Sequence, residues 1–355
     1  MASRKIHHYV PQFYLRNFAS SEDGKHIGLY NYQRNILVPF AAIKHQACEK
    51  FLYGDDDEIE AALSKLEHYT AYIFQRLLQY FMPPPENSPF YSILLEFVLY
   101  QLSRTVKAGK ETNEMLSRGF KEVFKKTAFY KEKYENIEFL HEQPTLFSLV
   151  FTGQALPLMK YLSCKLLINR SNMPFITSDQ PAFKYNSFLE QKKRKQGTTG
   201  LASKGLQIFL PIHPQVMLIF YDPAVYKLGN RKDKTIETFN SFDIDQLNGL
   251  QYIHSDSQLF FSYGVDKNYF ARLTSKYQEI KMASGPISTS YNKKGDDEER
   301  NFLIVNTNNE PQIALNLSFM TLTKHAKQFE LDNKVVFPRH PSFLEFRNKN
   351  RTLEF

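Results

Sequence analysis

Three consecutive prolines, Pro83, Pro84 and Pro85, set the hardest limit on what this chain can fold into. Proline lacks an amide hydrogen and clashes with the preceding helical turn, so no helix crosses them. Before them, Ile59, Leu63, Leu66, Ile73 and Leu77 recur at helical spacing, and Asp55, Asp56 and Asp57 supply an N-cap and an acidic first turn. That pattern predicts a helix over about 57–81. After the prolines, Tyr91, Leu94, Leu95, Val98, Leu99 and Leu102 predict a second helix over about 88–109. A charged amphipathic helix over about 111–133 follows, then one over about 143–161 that Gly153 and Pro157 break.

Past residue 164 the period shortens. Cys164–Asn169, Phe175–Thr177 and Gln258–Ser262 read as strands, and Ile208–Pro211 with Val216–Tyr221 read as a hairpin around His213 and Pro214. A helix carrying Asp243, Ile244, Leu247, Asn248 and Ile253 interrupts them. Earlier, Ile27–Tyr32 reads as a short strand, and residues 36–53 as strand and loop. Residues 187–204 form a polar, basic loop whose Gly197 and Gly200 predict mobility. The expectation is an α+β fold, with a mostly helical N-terminal half packed on a strand-rich, largely antiparallel C-terminal half. Residues 1–265 are expected to form the core domain, helical over about 55–161 and strand-rich over about 164–265. Residues 266–355 would extend it, with an exposed connector at 284–300 and strands within 302–305 and 312–322.

The most unusual chemistry sits near the N-terminus, in His7-His8-Tyr9-Val10-Pro11-Gln12-Phe13-Tyr14-Leu15-Arg16-Asn17-Phe18. Pro11 suits the first position of a short helix, where an amide hydrogen has no partner anyway. Gln12 and Arg16 then share one face, and Tyr14 and Phe18 another. The two histidines precede the helix start, where free backbone N–H groups favour an anion. This stretch resembles the N-terminal signature of domain-of-unknown-function family 4238. Further points of likeness are Glu60 and Glu67 on one helix, Gln101 and Arg104 on the next, Pro174-Phe175-Ile176-Thr177-Ser178-Asp179-Gln180-Pro181, and Asn248. The family usually has Asn where this chain has Gln180. The resemblance covers roughly residues 5 to 265. It implies which residues to read together, and no particular reaction.

Composition narrows the classes. A chain of 355 residues with 42% hydrophobic and 23% charged residues can bury a sizeable core. It has no run of eighteen apolar residues and no basic-then-apolar leader, so neither a membrane span nor secretion is expected. Two cysteines, Cys48 and Cys164, make no disulfide framework, which points to a reducing, cytoplasmic setting. The net charge of +8 is partly local, in Lys192, Lys193, Arg194 and Lys195, and in a looser set of Lys121, Lys125, Lys126, Lys131 and Lys133. Such runs either bind nucleic acid through its phosphates or are simply solvated. The chain has 31 Phe and 21 Tyr, which suit either base stacking or a core.

His7, His8, Gln12, Arg16, Glu60, Glu67, Arg104, Ser178 and Asp179 are the candidate site residues. One reading is a nuclease-like phosphodiester hydrolase. His8, Glu67 and Asp179 would hold a divalent metal ion that activates water, or His8 would move the proton itself. Arg16 and Arg104 would neutralise phosphate. The accessory proteins that the family resembles point to a toxin or defence effector. The other reading is a non-catalytic nucleic-acid-binding or protein-interaction module. There the arginines pair with Glu60 and Glu67, the histidines fix the N-terminal segment, and Ser178 and Asp179 cap a turn. No Gly-x-Ser-x-Gly elbow, Walker loop or dinucleotide fingerprint is present, which leaves those chemistries aside. Exposure of the cluster discriminates the two readings: an open pocket favours the enzyme, and a buried, mutually bonded cluster favours the module.

Overall fold

A computed structural model describes residues 6–55, 57–124, 137–292, 302–331 and 338–343. The chain begins with β1 (Ile6–His8), α1 (Gln12–Arg16), the hairpin of β2 (His26–Asn31) and β3 (Ile36–Ala42), and β4 (Cys48–Lys50). Four helices follow: α2 (Asp57–Tyr80), α3 (Pro89–Ser103), α4 (Val106–Phe124) and α5 (Pro144–Gly153). Then come β5 (Ser163–Asn169), β6 (Thr177–Ser178), β7 (Phe183–Tyr185), the short α6 (Ser187–Gln191), β8 (Gln207–His213), β9 (Val216–Tyr221), β10 (Tyr226–Leu228) and β11 (Thr235–Thr238). The described chain ends with α7 (Ser241–His254), β12 (Gln258–Phe261), α8 (Lys267–Ala283), β13 (Gly285–Asn292), β14 (Phe302–Asn309), β15 (Met320–Leu322) and α9 (Lys324–Gln328).

The centre is a five-stranded sheet in the order β11-β5-β9-β8-β7. Its strands are apolar on both faces because both faces are covered. Side chains alternate across a strand. Leu166, Ile208, Leu210, Leu218 and Phe220 accordingly join one core with α1, α2 and α3. Their neighbours Leu167, Phe209, Met217 and Ile219 join a second core with Ile244, Leu247 and Leu250 of α7 and Phe270 and Leu273 of α8. The register Leu166↔Leu218 and Ile208↔Phe220 sets same-face residues opposite one another. A shift of one residue would exchange the two cores.

The described strands do not divide the chain as the periodicity predicts. The expected mostly helical N-terminal half on a strand-rich C-terminal half is incorrect: sheets run across the whole chain. β2 and β3 form a four-stranded sheet in the order β3-β2-β12-β6, so an early hairpin pairs with a strand more than two hundred residues later. β1 pairs with β4. A two-stranded hairpin is marginal alone, and its open edge finds partners in β12. Among the described residues, strand pairing is antiparallel except for β11 against β5, which is parallel. Helices remain concentrated in the first half, but α7 and α8 belong to the second.

The expected second helix also ends early. α3 stops at Ser103, and α4 starts at Val106. Thr105 makes the break, its Oγ1 accepting a hydrogen bond from the Ala108 backbone N–H at 3.2 Å. That bond caps a new helix start. The predicted third helix is seen as α4, and its residues 125–133, with Lys125, Lys126, Lys131 and Lys133, lie outside the described residues. The helix expected over 143–161 is broken as predicted, into α5 and a 3-10 turn at Leu156–Met159. Residues 285–292 of the expected connector form β13, and 293–300 lie outside the described residues.

The basic loop is tied down rather than loose. Asn186 caps α6 by accepting from the Leu189 N–H at 3.0 Å, and its Nδ2 donates to the carbonyls of Thr198 (2.7 Å) and Lys204 (2.9 Å). One side chain thus closes both ends of the loop. Lys193 leaves α6 at φ 60°, the left-handed conformation common just past a helix end, with its N–H on the Glu190 carbonyl at 2.7 Å.

Candidate functional site

The N-terminal motif is held by a buried arginine. Arg104, 1% exposed, sits at the α3–α4 break. Its Nη2 donates to the His8 carbonyl at 2.6 Å and to Glu67 Oε1 at 2.7 Å. Its Nε donates to the Tyr53 hydroxyl at 3.3 Å, and that hydroxyl donates to the Arg104 carbonyl at 3.0 Å. Burial opposes the guanidinium charge, but Tyr53 and Glu67 outweigh it and hold the pKa above its ordinary value. Burial in turn pushes the Tyr53 hydroxyl up to about 12. Beside this pair, Gln101 is fully buried and its Nε2 donates to the Tyr9 carbonyl at 2.8 Å. Gln101 of α3 and Arg104 just past its end therefore grip the backbone of β1 and its exit.

The histidines divide as their adjacency requires. His7 is buried, stacks on Tyr53 at 5.4 Å and accepts from the Tyr53 N–H through Nδ1 at 3.3 Å. His8 is half-buried, with Nε2 3.2 Å from the Lys44 carbonyl. Burial is the largest influence on it and lowers its pKa, and Arg104 and His45 lower it further. Arg16 bonds Gln12 at 3.3 Å on an exposed face of α1, apart from the arginine network. Glu60 is half-buried on α2, two turns before Glu67.

A second junction is built from Thr177–Gln180. Asp179, 2% exposed, accepts from the backbone N–H groups of Asp256 (2.8 Å), Ser257 (2.7 Å) and Gln258 (2.8 Å) and from the Ser257 hydroxyl (3.1 Å). It seats the turn that leads into β12. Burial raises its pKa, and the three N–H bonds pull against that. The Ser178 hydroxyl accepts from Gln251 Nε2 at 2.7 Å and from the Gln180 N–H at 2.9 Å. Gln180 reaches across to the helix break, bonding Thr105 Oγ1 and, through Nε2, the Leu102 carbonyl at 3.3 Å. Asn248 holds the start of the same stretch, through the Pro174 carbonyl (3.0 Å) and the Ile176 N–H (3.1 Å).

A family model, "Protein of unknown function (DUF4238)", matches residues 6–264 of the 355. The chain belongs to the DUF4238 family. No curated protein and no solved structure matches it. In this DUF4238 chain the motif residues form two neighbouring networks. His7, His8, Glu67, Gln101 and Arg104 make one, and Ser178, Asp179, Gln180 and Asn248 the other. The two meet at the α3–α4 break, through Arg104, Thr105 and Gln180. Gln12 and Arg16 stand apart. His8, Glu67 and Asp179, the set expected to hold a metal, are not gathered: among the described residues no group of three or more His, Cys, Asp and Glu can hold a metal ion.

The large open space lies elsewhere. A cleft of about 910 Å³ runs between α4, α5, the end of β14 and the tied-down loop. Lys193, Arg194 and Lys195 line it, with Lys184 of β7 and the carboxylates Glu111 and Glu310. A smaller chamber of about 270 Å³ shares Leu102, Glu111, Lys184, Thr199, Asn308 and Glu310 with that cleft, and also takes in Gln180 and His254. His254 was not singled out by the sequence, where it is only the last residue of an ordinary helix. Its Nε2 is buried with no hydrogen-bond partner. Burial, aided by Lys107, Lys281 and Lys184, pushes its pKa well down. Among the described residues no helix is long and apolar enough to cross a membrane.

Proposed function

We propose that this chain is a nucleic-acid-binding module in which the motif network is structural and the basic cleft takes the phosphate backbone. The observation that carries the reading is the placement of charge. Lys193, Arg194 and Lys195 share one cleft with Lys184, whereas Arg104, which holds the N-terminal motif, is 1% exposed and bonded to backbone, Tyr53 and Glu67. A cleft of this volume lies within the range of ligand sites. Closely spaced cations on its wall neutralise successive phosphates and release their counterions. The tied-down loop supports the same reading, because a backbone already braced loses less conformational freedom on binding.

The test is fluorescence anisotropy of labelled single-stranded RNA and DNA across a salt series. The expected result is salt-sensitive binding that Lys193→Ala/Arg194→Ala/Lys195→Ala weakens by more than about tenfold, with the log–log salt slope flattened by roughly 2 for three lost phosphate contacts on a single strand. Binding of equal strength and slope in the triple variant would refute it. The same oligonucleotides incubated with Mg²⁺, Mn²⁺ or chelator, beside His8→Ala, test the hydrolase alternative. Cleavage lost in that variant would replace the module with an enzyme.

A further inference from the structure

A second basic hollow lies toward the other edge of the central sheet. The cleft borders β7 at one edge. This hollow, of about 210 Å³, sits where β5 begins and β9 ends, beside the loop that leads into β11 at the opposite edge. Lys165 of β5, Lys227 of β10, and Arg231 and Lys234 of that loop line it, with Glu86 from the α2–α3 connection. We propose that this hollow binds a phosphate dianion, free or as the end of a small monoester. The inference does not depend on the nucleic-acid reading, which concerns the cleft beside β7.

Three observations carry it. The first is a buried lysine. Lys165 is 3% exposed, on a strand whose Cys164, Leu166, Leu167 and Ile168 are core. Lysine is almost never fully buried unless it is paired. Among the described residues no carboxylate pairs with Lys165; its Nζ donates instead to the carbonyls of Leu228 (2.8 Å) and Asn230. An ammonium has three N–H donors, so two carbonyls leave one over. Burial lowers its pKa, and Lys234 adds to that while Asp233 opposes it. An arriving anion gives the buried charge the partner it lacks.

The second observation is the balance of charge. Four cations line the hollow, and among the described residues Glu86 is the one carboxylate on its walls. Glu86 meets Lys234 at 3.4 Å, but both side chains are exposed, so water screens the pair and either can swing away. Lys165, Lys227 and Arg231 are left to set the sign of the potential, and a guanidinium grips phosphate through two parallel N–H bonds. The third observation is Tyr221, which also lines the hollow. Burial pushes its hydroxyl up to about 12, with Glu86 adding to the shift and Arg231 opposing it. The hydroxyl therefore sits among these charged groups and stays protonated, as a donor. The volume is roughly seven waters' worth at about 30 Å³ each, which suits a terminal phosphate better than a phosphodiester flanked by two sugars.

The test is calorimetric titration of the full chain with inorganic phosphate and with glycerol 3-phosphate, at an ionic strength held constant with sodium chloride so that screening does not vary. One saturable site is expected, and the tighter of the two ligands tells whether it serves free phosphate or an ester. Arg231→Ala/Lys234→Ala, at exposed loop positions, should weaken binding by about tenfold or more. Lys165→Met, which keeps the buried stem, should abolish saturable binding; if that variant does not fold, the loop variant decides. Glu86→Gln should tighten binding, because it removes a carboxylate that repels the ligand, a sign that a merely structural role does not produce. Lys193→Ala/Arg194→Ala/Lys195→Ala should bind phosphate as the parent does. Absence of a saturable site, unchanged binding in the loop variant, weaker binding in Glu86→Gln, or loss of the site in the cleft variant would each overturn the assignment.

Discussion

The Arg104 network and the basic cleft contain the same kinds of residue and use them in opposite ways. Around Arg104, charge and polarity turn inward: Arg104 and Gln101 bond the His8 and Tyr9 carbonyls, and Glu67 and Tyr53 partner the guanidinium. In the cleft, Lys193 and Lys195 are exposed, and the fixed part is the backbone beneath them. The contrast separates two meanings of a polar motif. Polar groups bonded to main-chain carbonyls and amides hold irregular chain, whose backbone otherwise has no partner. Polar groups held out over a cleft by a braced loop are available to a ligand. If this division is right, substitutions in the first region cost stability, and substitutions in the second cost binding with stability intact.

The largest effect expected is from Arg104→Ala. It strands the partly buried Glu67 carboxylate and leaves the Tyr53 hydroxyl and His8 carbonyl short of a partner, which should destabilise by about 3–5 kcal/mol. Urea denaturation measures it. A loss below about 1 kcal/mol would mean that the network is not what holds β1. Asp179→Ala comes next. Three backbone N–H groups of the turn into β12 lose their acceptor, for a cost of about 2–4 kcal/mol. Asp179→Asn should recover part of this, since its amide oxygen still accepts. The Lys193–Lys195 triple variant should sit at the other extreme, within about 0.5 kcal/mol of the parent chain. A large loss of stability there would erase the division between the regions.

Acid provides a sharper probe, because it acts on buried imidazoles and spares the exposed lysines. His8, His213 and His254 all have pKa values lowered by burial. Below pH 6.5 the unfolded chain binds protons that the folded chain refuses, so stability falls as pH drops through that value. Burial opposes the protonation of His254 first, and the facing Lys107, Lys281 and Lys184 add to it. His254→Gln should therefore flatten the acid limb of stability against pH by up to about 1.4 kcal/mol per pH unit. An unchanged slope between pH 6.5 and 5 would show that His254 is protonated as readily in the fold as out of it.

How much of this was legible in the sequence follows from which forces are local. The proline stop, the α2 stripe, the β8–β9 hairpin and the break in the fourth helix rest on neighbours within a few residues, and they are where the pattern puts them. The pairing of β2 with β12 is a long-range choice that no local period records. The α3–α4 break was missed because Thr105 reads as an ordinary helical residue until its hydroxyl is seen to cap Ala108. The motif residues named in the sequence do converge in part, in two networks that meet at that break. The gathering of His8, Glu67 and Asp179 did not follow, because Asp179 is surrounded by backbone N–H groups of residues 256–258 and His8 is turned toward Lys44. His254 carried no signal, since its burial against Phe183, Lys107 and Lys281 depends on segments distant in sequence.

The smallest effect is the most discriminating, and it concerns His8. Arg104 bonds the carbonyl of residue 8, not its imidazole, so His8→Ala keeps that bond and loses only the contact between Nε2 and the Lys44 carbonyl. One neutral hydrogen bond at a half-buried site is worth about 1 kcal/mol. A module predicts that modest shift in the urea midpoint and oligonucleotide affinity within about twofold of the parent, because the basic cleft is untouched. A hydrolase predicts the same small stability change with cleavage abolished, since the imidazole would carry the proton. Stability reads alike in both cases, and activity alone separates them. A loss of several kcal/mol would contradict both, and would move His8 into the group of residues that hold the N-terminal segment in place.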